Sequence, residues 1–248
     1  MKKTFKILGI LLVIVIAFAS YKKYQNDKER EFINSVMEEH FQKEIVTEKN
    51  AKNNCERVLS FDGYNLCFPK IQNWKECRND KNLKNDIDKL ELNNKILSYY
   101  IPEDIYEKTK TEKIANYPII SLFVQNNTIG METNEEALPM VFAGLKNSFE
   151  VQDFKDVEEL LKTKTNAEFV KPILFDSFDV LKNAKTCVTI NSSKQNGKVI
   201  NRVSFINVLD INKRIMMLNY SEEIGSDFQF SKMKMENEKI VKKITEVN

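Results

Sequence analysis

Residues 199–220, VINRVSFINVLDINKRIMMLNY, carry the pattern that decides the class of fold. β-Branched and aromatic residues fill 199–209 and 214–220, a composition typical of strands. The four residues between them, Asp210-Ile211-Asn212-Lys213, are rich in turn-forming side chains. The stretch therefore predicts two antiparallel strands joined by a turn.

More strands are predicted outward from this hairpin. Asp62-Gly63 tolerates the positive backbone angles of a two-residue hairpin turn, and Asn196-Gly197 marks another turn. The remaining strand candidates share the β-rich composition and end at Gly, Pro, Asn or Asp. They are residues 58–61, 64–68, 95–101, 118–124, 173–180 and 185–191.

Helices are predicted between and after these strands. Thr133 and Glu136 have capping-box spacing, but Pro139 conflicts with a start there, so this helix either kinks at Pro139 or begins near it. A second helix follows over 153–162. Ser226 is the predicted cap of a last helix over 228–246. Its apolar face consists of Met233, Ile240, Val241 and Ile244.

These elements predict an α+β fold, namely a largely antiparallel sheet covered by helices and preceded by an N-terminal membrane-targeting helix. Residues 1–20 are a signal peptide or membrane anchor, and residues 21–50 form a charged helical stalk. Residues 51–248 form a single extracytoplasmic domain.

The N-terminal segment has two interpretations that the residues leave open. Ala17-Phe18-Ala19 has the small-x-small form of a cleavage site, so the segment can be a signal peptide. Lys22 and Lys23 directly behind that site disfavour cleavage, and residues 5–21 reach the lower limit of about 17 residues for a membrane span. We favour the inner-membrane anchor over a periplasmic or secreted product.

Charge and composition exclude several kinds of function. Without Lys2, Lys3 and Lys6, the chain has 35 basic against 36 acidic residues, so no global field attracts nucleic acid. His40 is the single histidine and belongs to the charged stalk, which removes most His-dependent hydrolase mechanisms. Adjacent carboxylates such as Glu222 and Glu223 do not face each other. The sequence predicts no catalytic residue, cofactor or metal.

Four cysteines lie in the exported part: Cys55, Cys67, Cys77 and Cys187. In an oxidising compartment an even number favours two disulfides, with three possible connectivities, and four buried thiols are the alternative. The absence of a Cys-x-x-Cys motif disfavours zinc and thioredoxin-like chemistry.

Two further groups of side chains have both a structural and a functional interpretation. Trp74, Tyr99, Tyr100 and Tyr106 are candidate interface anchors if exposed, although a place in the core is favoured. The basic side of the last helix is attributed first to the helix dipole, which favours lysines near a helix C-terminus. This basic side consists of Lys232, Lys239, Lys242 and Lys243.

Two stretches of the chain resemble the PsbP-like family of exported or lumenal α/β/α domains. The strand Tyr64-Asn65-Leu66-Cys67-Phe68-Pro69 leads to Asn73-Trp74, and the hairpin at 199–220 is followed by a helix that ends near Asn248. The polar stretch at 79–94 and the two helices before residue 165 depart from that family's pattern. The resemblance implies an accessory or binding role without shared catalytic residues.

The sequence therefore predicts a non-enzymatic cell-envelope binding or accessory protein that contacts a protein partner at the outer face of the inner membrane. Alternatives are an immunity protein against an envelope toxin, a carboxylate-dependent envelope hydrolase and a small-ligand or lipid carrier.

Overall fold

The computed structural model describes residues 55–91, 93–112, 114, 117–151, 171–195, 198–225 and 227–248. They belong to one compact unit, Val46–Asn248. The predicted targeting helix, the stalk with His40, the helix over 153–162 and the turn at Asn196-Gly197 lie outside the described residues. None of the helices in the described ranges is both long enough and apolar enough to span a membrane.

The described residues form ten strands and four α-helices. The strands are β1 (Cys55–Phe61), β2 (Tyr64–Pro69), β3 (Trp74–Glu76), β4 (Asn94–Pro102), β5 (Ile119–Gln125), β6 (Glu150–Val151), β7 (Ile173–Leu181), β8 (Ala184–Gln195), β9 (Lys198–Ile211) and β10 (Arg214–Glu223). The helices are α1 (Lys84–Asp88), α2 (Glu103–Thr109), α3 (Ala137–Asn147) and α4 (Phe230–Val247), and one 3₁₀ turn covers Asn126–Thr128.

Eight strands form one sheet in the order β3-β4-β5-β10-β9-β8-β7-β6. All neighbours in it are antiparallel except the short pair β6–β7, so the predicted largely antiparallel sheet with helices is confirmed. β1 and β2 pair with each other as a separate hairpin.

The stretch that decides the fold forms the central hairpin, with a tighter turn than predicted. Arg214 pairs with Ile211, so the turn contains only Asn212 and Lys213. Both have positive φ, 51° and 58°, as a two-residue type I′ turn requires. The Asp62-Gly63 turn has the same geometry, with φ of 50° and 81°, and is confirmed as predicted.

α4 covers one face of the sheet with the predicted residues. Met233, Ile240, Val241 and Ile244 are all buried in the main core, together with Phe205 and Tyr220 of the sheet. The helix is preceded by Gln229 as its N-cap, so the prediction of Ser226 as the cap is wrong. Gln229 still has an extended backbone, and the backbone first becomes helical at Phe230.

α3 lies on the opposite face. The Lys185 ammonium group lies 5.8 Å from the centre of the Phe142 ring of α3. Lys185 is opposite Val208 in the ladder, so the two side chains share a face of the sheet. The neighbouring Asn207 bonds to α4, and successive strand residues point to opposite faces. α3 begins at Ala137 after Glu136, without a side-chain cap, so the predicted alternative of a start near Pro139 is confirmed and Thr133 is not the cap. Pro139 then falls in the first turn, where no intrahelical bond needs its missing N–H.

Candidate functional site

The short loop between β2 and β3 forms one wall of a groove along α4. The Trp74 amide donates to the Ile71 carbonyl at 3.1 Å, which closes the loop into a tight turn. Asn73 supplies its positive φ of 65°, and its carbonyl accepts the Glu103 amide at 2.9 Å. Asn tolerates this left-handed conformation better than most residues. The wall is thus held in one conformation by the backbone itself.

The other wall of the groove is one side of α4. Lys232, Met235, Lys239 and Lys243 recur at three- and four-residue spacing and therefore lie along one side of the helix. We call the space between this side and the loop the α4 groove. Its central cavity of about 480 Å³ is lined by Ile71, Gln72, Asn73, Lys232, Met235, Glu236, Lys239, Ile240 and Lys243.

Two further cavities extend the groove along the whole helix. One of about 240 Å³ lies at the start of α4 and shares Asn73, Lys232 and Glu236 with the centre. Another of about 630 Å³ lies at the end of α4, shares Gln72 and Lys243 with the centre, and includes Lys70 and Cys55 in its lining. The three cavities therefore form one continuous surface.

The first end of the groove is acidic. Its lining includes Asp104, Glu222, Asp227 and Glu236, against Lys232 as the single basic residue of that cavity's described lining. Two of these carboxylates come from different elements, β10 and α4, and meet at one buried hydroxyl. The Tyr220 hydroxyl lies 3.1 Å from Glu236 Oε2 and 3.4 Å from Glu222 Oε2.

Burial determines the protonation of this acidic end. Burial, followed by the charge of Glu236, raises the pKa of Glu222 above its usual value. Burial also raises the pKa of Tyr220, so its hydroxyl stays protonated. The Trp74 indole N–H donates to Glu236 Oε1 at 2.9 Å, which fixes the position of this side chain beside Tyr220. Glu222 is thus a carboxyl group of the acidic end whose protonated form burial favours.

The lysines of the groove have no structural partner in the described part of the fold. Neither Lys239 nor Lys243 forms an ion pair with any described carboxylate. The explanation by the helix dipole stays a prediction for Lys242 and Lys243, which lie directly before the last turn of α4, and it does not extend to Lys239, two turns before Val247. Lys232 lies in the first turn, where the dipole disfavours a cation.

Hydrogen bonds hold the wall opposite α4 to the helix at both ends of the groove. At the acidic end the tie is the Trp74–Glu236 hydrogen bond. At the other end, Asn248 follows α4 and its side-chain amide bonds both main-chain groups of Cys67. Asn248 Oδ1 accepts the Cys67 amide at 2.7 Å, and Asn248 Nδ2 donates to the Cys67 carbonyl at 2.8 Å. The two walls are therefore preorganised relative to each other.

One of the two expected disulfides is present. Cys55 and Cys67 are joined across the β1–β2 hairpin with their Cα atoms 5.4 Å apart. This bond points to an oxidising, extracytoplasmic compartment. The expected second disulfide is wrong, because Cys77 and Cys187 are buried free thiols. Cys77 lies directly after β3, where its Sγ donates to the Tyr99 carbonyl, whereas Cys187 lies in β8 opposite Ile206.

The four predicted aromatic anchors do not form a surface. Trp74, Tyr99 and Tyr100 are at most 5% exposed, so they are unavailable to a partner and belong to the core. Tyr106 is half-buried, and its hydroxyl donates to Asp80 Oδ2 at 2.7 Å. Trp74 nevertheless contributes to the α4 groove from below, through its hydrogen bond to Glu236.

Sequence reasoning identified the basic side of α4 but missed the loop wall and the acidic end of the groove. Glu222 and Glu223 are adjacent in the sequence, whereas the fold brings Glu222 and Glu236 to the same Tyr220 hydroxyl. Over the described ranges no three His, Cys, Asp or Glu side chains are grouped so that they could hold a metal ion. Comparison of the chain with family models, curated proteins and solved structures finds no match, and the PsbP-like resemblance stays a prediction.

Proposed function

We propose that this protein is a non-enzymatic binding or accessory protein of the cell envelope, which contacts a partner protein at the outer face of the inner membrane through the α4 groove. The observation that carries the proposal is the composition of the groove wall. Exposed Met235 lies among lysines that have no ion pairs in the described part of the chain.

Met235 supports a docking role because of its exposure and its surroundings. Its side chain is 58% exposed at the centre of the groove, with Ile71 and Ile240 in the same lining. Ile71, Met235 and Ile240 form the apolar part of an otherwise polar lining, and the side chain of Met adapts its shape to a partner. Preorganised walls lower the entropy that a partner loses when it binds. The accessory role that the PsbP-like resemblance implies agrees with this proposal.

The other non-enzymatic alternatives receive less support from the groove. An immunity protein that plugs a toxin's cleft needs a protruding acidic or aromatic surface, but the acidic groups line a concave pocket. A lipid carrier needs an apolar space between the sheet and its helix. Phe205, Tyr220, Met233, Ile240 and Ile244 fill that space below α4.

A carboxylate-dependent envelope hydrolase is a second candidate, favoured by one observation. Glu222 and Glu236 come from different elements and share one hydroxyl, and the raised pKa of Glu222 is the property of a general acid. This candidate predicts that Glu222→Gln and Glu236→Gln each lower hydrolysis of an envelope glycan by at least about a hundredfold. Absence of hydrolysis by the unmodified protein would refute it.

Site-specific crosslinking tests the binding proposal. Met235 is replaced by p-benzoylphenylalanine in the full chain, which is expressed in its own host and irradiated. Met140 on α3 provides the matched control, since it is also a helical methionine and is 68% exposed. We expect a single protein adduct from position 235 that position 140 does not give. No adduct, or the same adducts from both positions, would contradict the proposal.

A further inference from the structure

The unpaired charges of the α4 groove restrict the chemistry of its partner. Lys239 and Lys243 project from the second half of α4, and Lys70 from the opposite wall joins Lys243 at the end of the groove. Glu246 and Glu56 also line that end, but Glu56 is already bound to Lys75, with 2.6 Å between Oε1 and Nζ. The three lysines therefore outnumber the one remaining carboxylate, Glu246, and this half of the groove carries a net positive charge.

The other half of the groove, at the start of α4, would repel an acidic ligand. Asp104, Glu222 and Glu236 line its cavity, so an acidic group placed there meets like charge. A ligand that is acidic along its whole length would be favoured at one end and disfavoured at the other. Charge complementarity thus requires a ligand whose acidic groups are confined to the half that faces Lys239 and Lys243.

The spacing along α4 predicts the pattern of the ligand. Met235, Lys239 and Lys243 follow one another at intervals of four residues, or about 6 Å along the helix axis. Alternate side chains of an extended chain recur at about 6.6 Å. An extended segment with an apolar residue and two acidic residues at alternate positions matches these three side chains in register.

We propose that the α4 groove binds an extended acidic segment of its partner protein, with the pattern apolar-x-acidic-x-acidic, over Met235, Lys239 and Lys243. The inference rests on the proposed function. It adds the conformation, charge and direction of the bound segment. The acidic residues lie towards the Asn248 end of the groove, and the apolar residue lies towards the Glu222 end.

A charge-swap experiment tests the inference. The probe is a fluorescent nine-residue peptide with the sequence Ser-Ser-Leu-Ser-Glu-Ser-Glu-Ser-Ser, titrated with the full chain in detergent and followed by anisotropy. We expect K239E/K243E to weaken binding about tenfold, because two exposed ion pairs become two repulsions. A probe with Lys in place of both Glu should bind K239E/K243E better than it binds the unmodified protein. The matched control K81E/K84E makes the same charge change at two exposed lysines in and before α1, and should leave binding unchanged.

The outcomes separate the charge inference from the proposed function. Equal binding of the Glu and Lys probes, no binding of either, or equal effects of the two double variants would overturn the inference. If position 235 still crosslinks to a protein in these cases, the proposed function stands. Crosslinking to a second copy of this chain or to phospholipid alone would overturn both. A crosslinked partner peptide rich in Asp and Glu would support both.

Discussion

The position of α4 on the sheet is predicted to depend on one buried pair of amides. Asn207 of β9 and Asn237 of α4 are both fully buried. Asn207 Nδ2 donates to Asn237 Oδ1 at 2.9 Å, and Asn237 Nδ2 donates back to Asn207 Oδ1 at 3.0 Å. Asn207 is held in turn by the Thr186 hydroxyl at 2.6 Å and the Leu218 carbonyl at 3.0 Å. The pair therefore fixes the helix, and with it the groove, in one register.

Asn237→Ala should lower the free energy of unfolding by about 3 kcal/mol. Each of the two lost hydrogen bonds contributes about 1 kcal/mol. The Asn207 N–H that pointed at Asn237 keeps only a long contact of 3.4 Å with the Phe205 carbonyl, which costs a further ~1–3 kcal/mol. The better helix propensity of Ala returns about 0.6 kcal/mol. Asn207 Oδ1 keeps its bond from Thr186, which limits the loss on the acceptor side.

Urea unfolding of the full chain measures this change through the emission of Trp74, the single tryptophan, which is buried beside α4. Lys242→Ala is the control, because Lys242 is exposed on the same helix, and its effect should stay within about 0.5 kcal/mol. A loss below about 1 kcal/mol for Asn237→Ala would refute the reasoning. It would mean that apolar packing alone positions α4.

Three further predictions concern the cysteines and the acidic end of the groove. Cys77 and Cys187 should not react with Ellman's reagent in the native protein and should both react in denaturant. The reason is that burial raises the pKa of each thiol, and raises the pKa of Cys187 to about 11. Fast labelling of the native protein would contradict this. Replacing Cys55 and Cys67 by Ser should cost about 3 kcal/mol, the value expected for a loop of this length, measured as a lower urea midpoint; an unchanged midpoint would count against a structural role. The pKa of Glu222 in the native protein lies above its ordinary value of 4.5, so the native state binds the proton more readily than the unfolded state. The free energy of unfolding should therefore fall as pH rises from 4.5 through the native pKa. Glu222→Gln should flatten this dependence on pH, and an unchanged profile would contradict the raised pKa.

The parts of the fold that follow from local rules could be predicted from the sequence. Asp62-Gly63 needs only its own backbone preferences to form a turn, and its hairpin has the expected register. The face of α4 follows from the spacing of Met233, Ile240, Val241 and Ile244, because the helical period alone determines which residues share a side. The strand-typical composition of 199–220 and its turn residues likewise predict the central hairpin.

The predictions that failed depended on choices between competing local rules. The Thr133–Glu136 spacing fits a capping box, but the helix begins one residue after Glu136, which puts Pro139 in the first turn. In the central hairpin, Asp210 and Ile211 stay in the ladder, since a two-residue turn matches the twist of the strands. The hairpin thereby keeps more ladder hydrogen bonds than the predicted boundary would give, and the later start of α3 avoids the clash that Pro139 would make inside a longer helix.

The groove could not be predicted, because its contacts join distant parts of the chain. The residues of the Trp74–Glu236 hydrogen bond are 162 positions apart, and those of the Asn248–Cys67 pair are 181 apart. No spacing rule reaches that far. The basic side of α4 was visible in the sequence, but its interpretation required the end of the helix, which leaves Lys242 and Lys243 before the last turn.

The same contacts connect the proposed binding site to the redox state of the protein. The loop wall of the groove follows directly after β2, and β2 is held to β1 by the Cys55–Cys67 disulfide and to α4 by Asn248. Reduction would leave the β1–β2 ladder, the backbone hydrogen bonds of the loop, the Asn248 bonds and the Trp74–Glu236 bond to hold the wall. Because a preorganised wall lowers the cost of ordering on binding, the reduced protein should bind the acidic probe peptide more weakly than the oxidised protein at equal folded fraction. Equal affinity of the two forms would show that the hydrogen bonds suffice and that the disulfide stabilises the hairpin without shaping the groove.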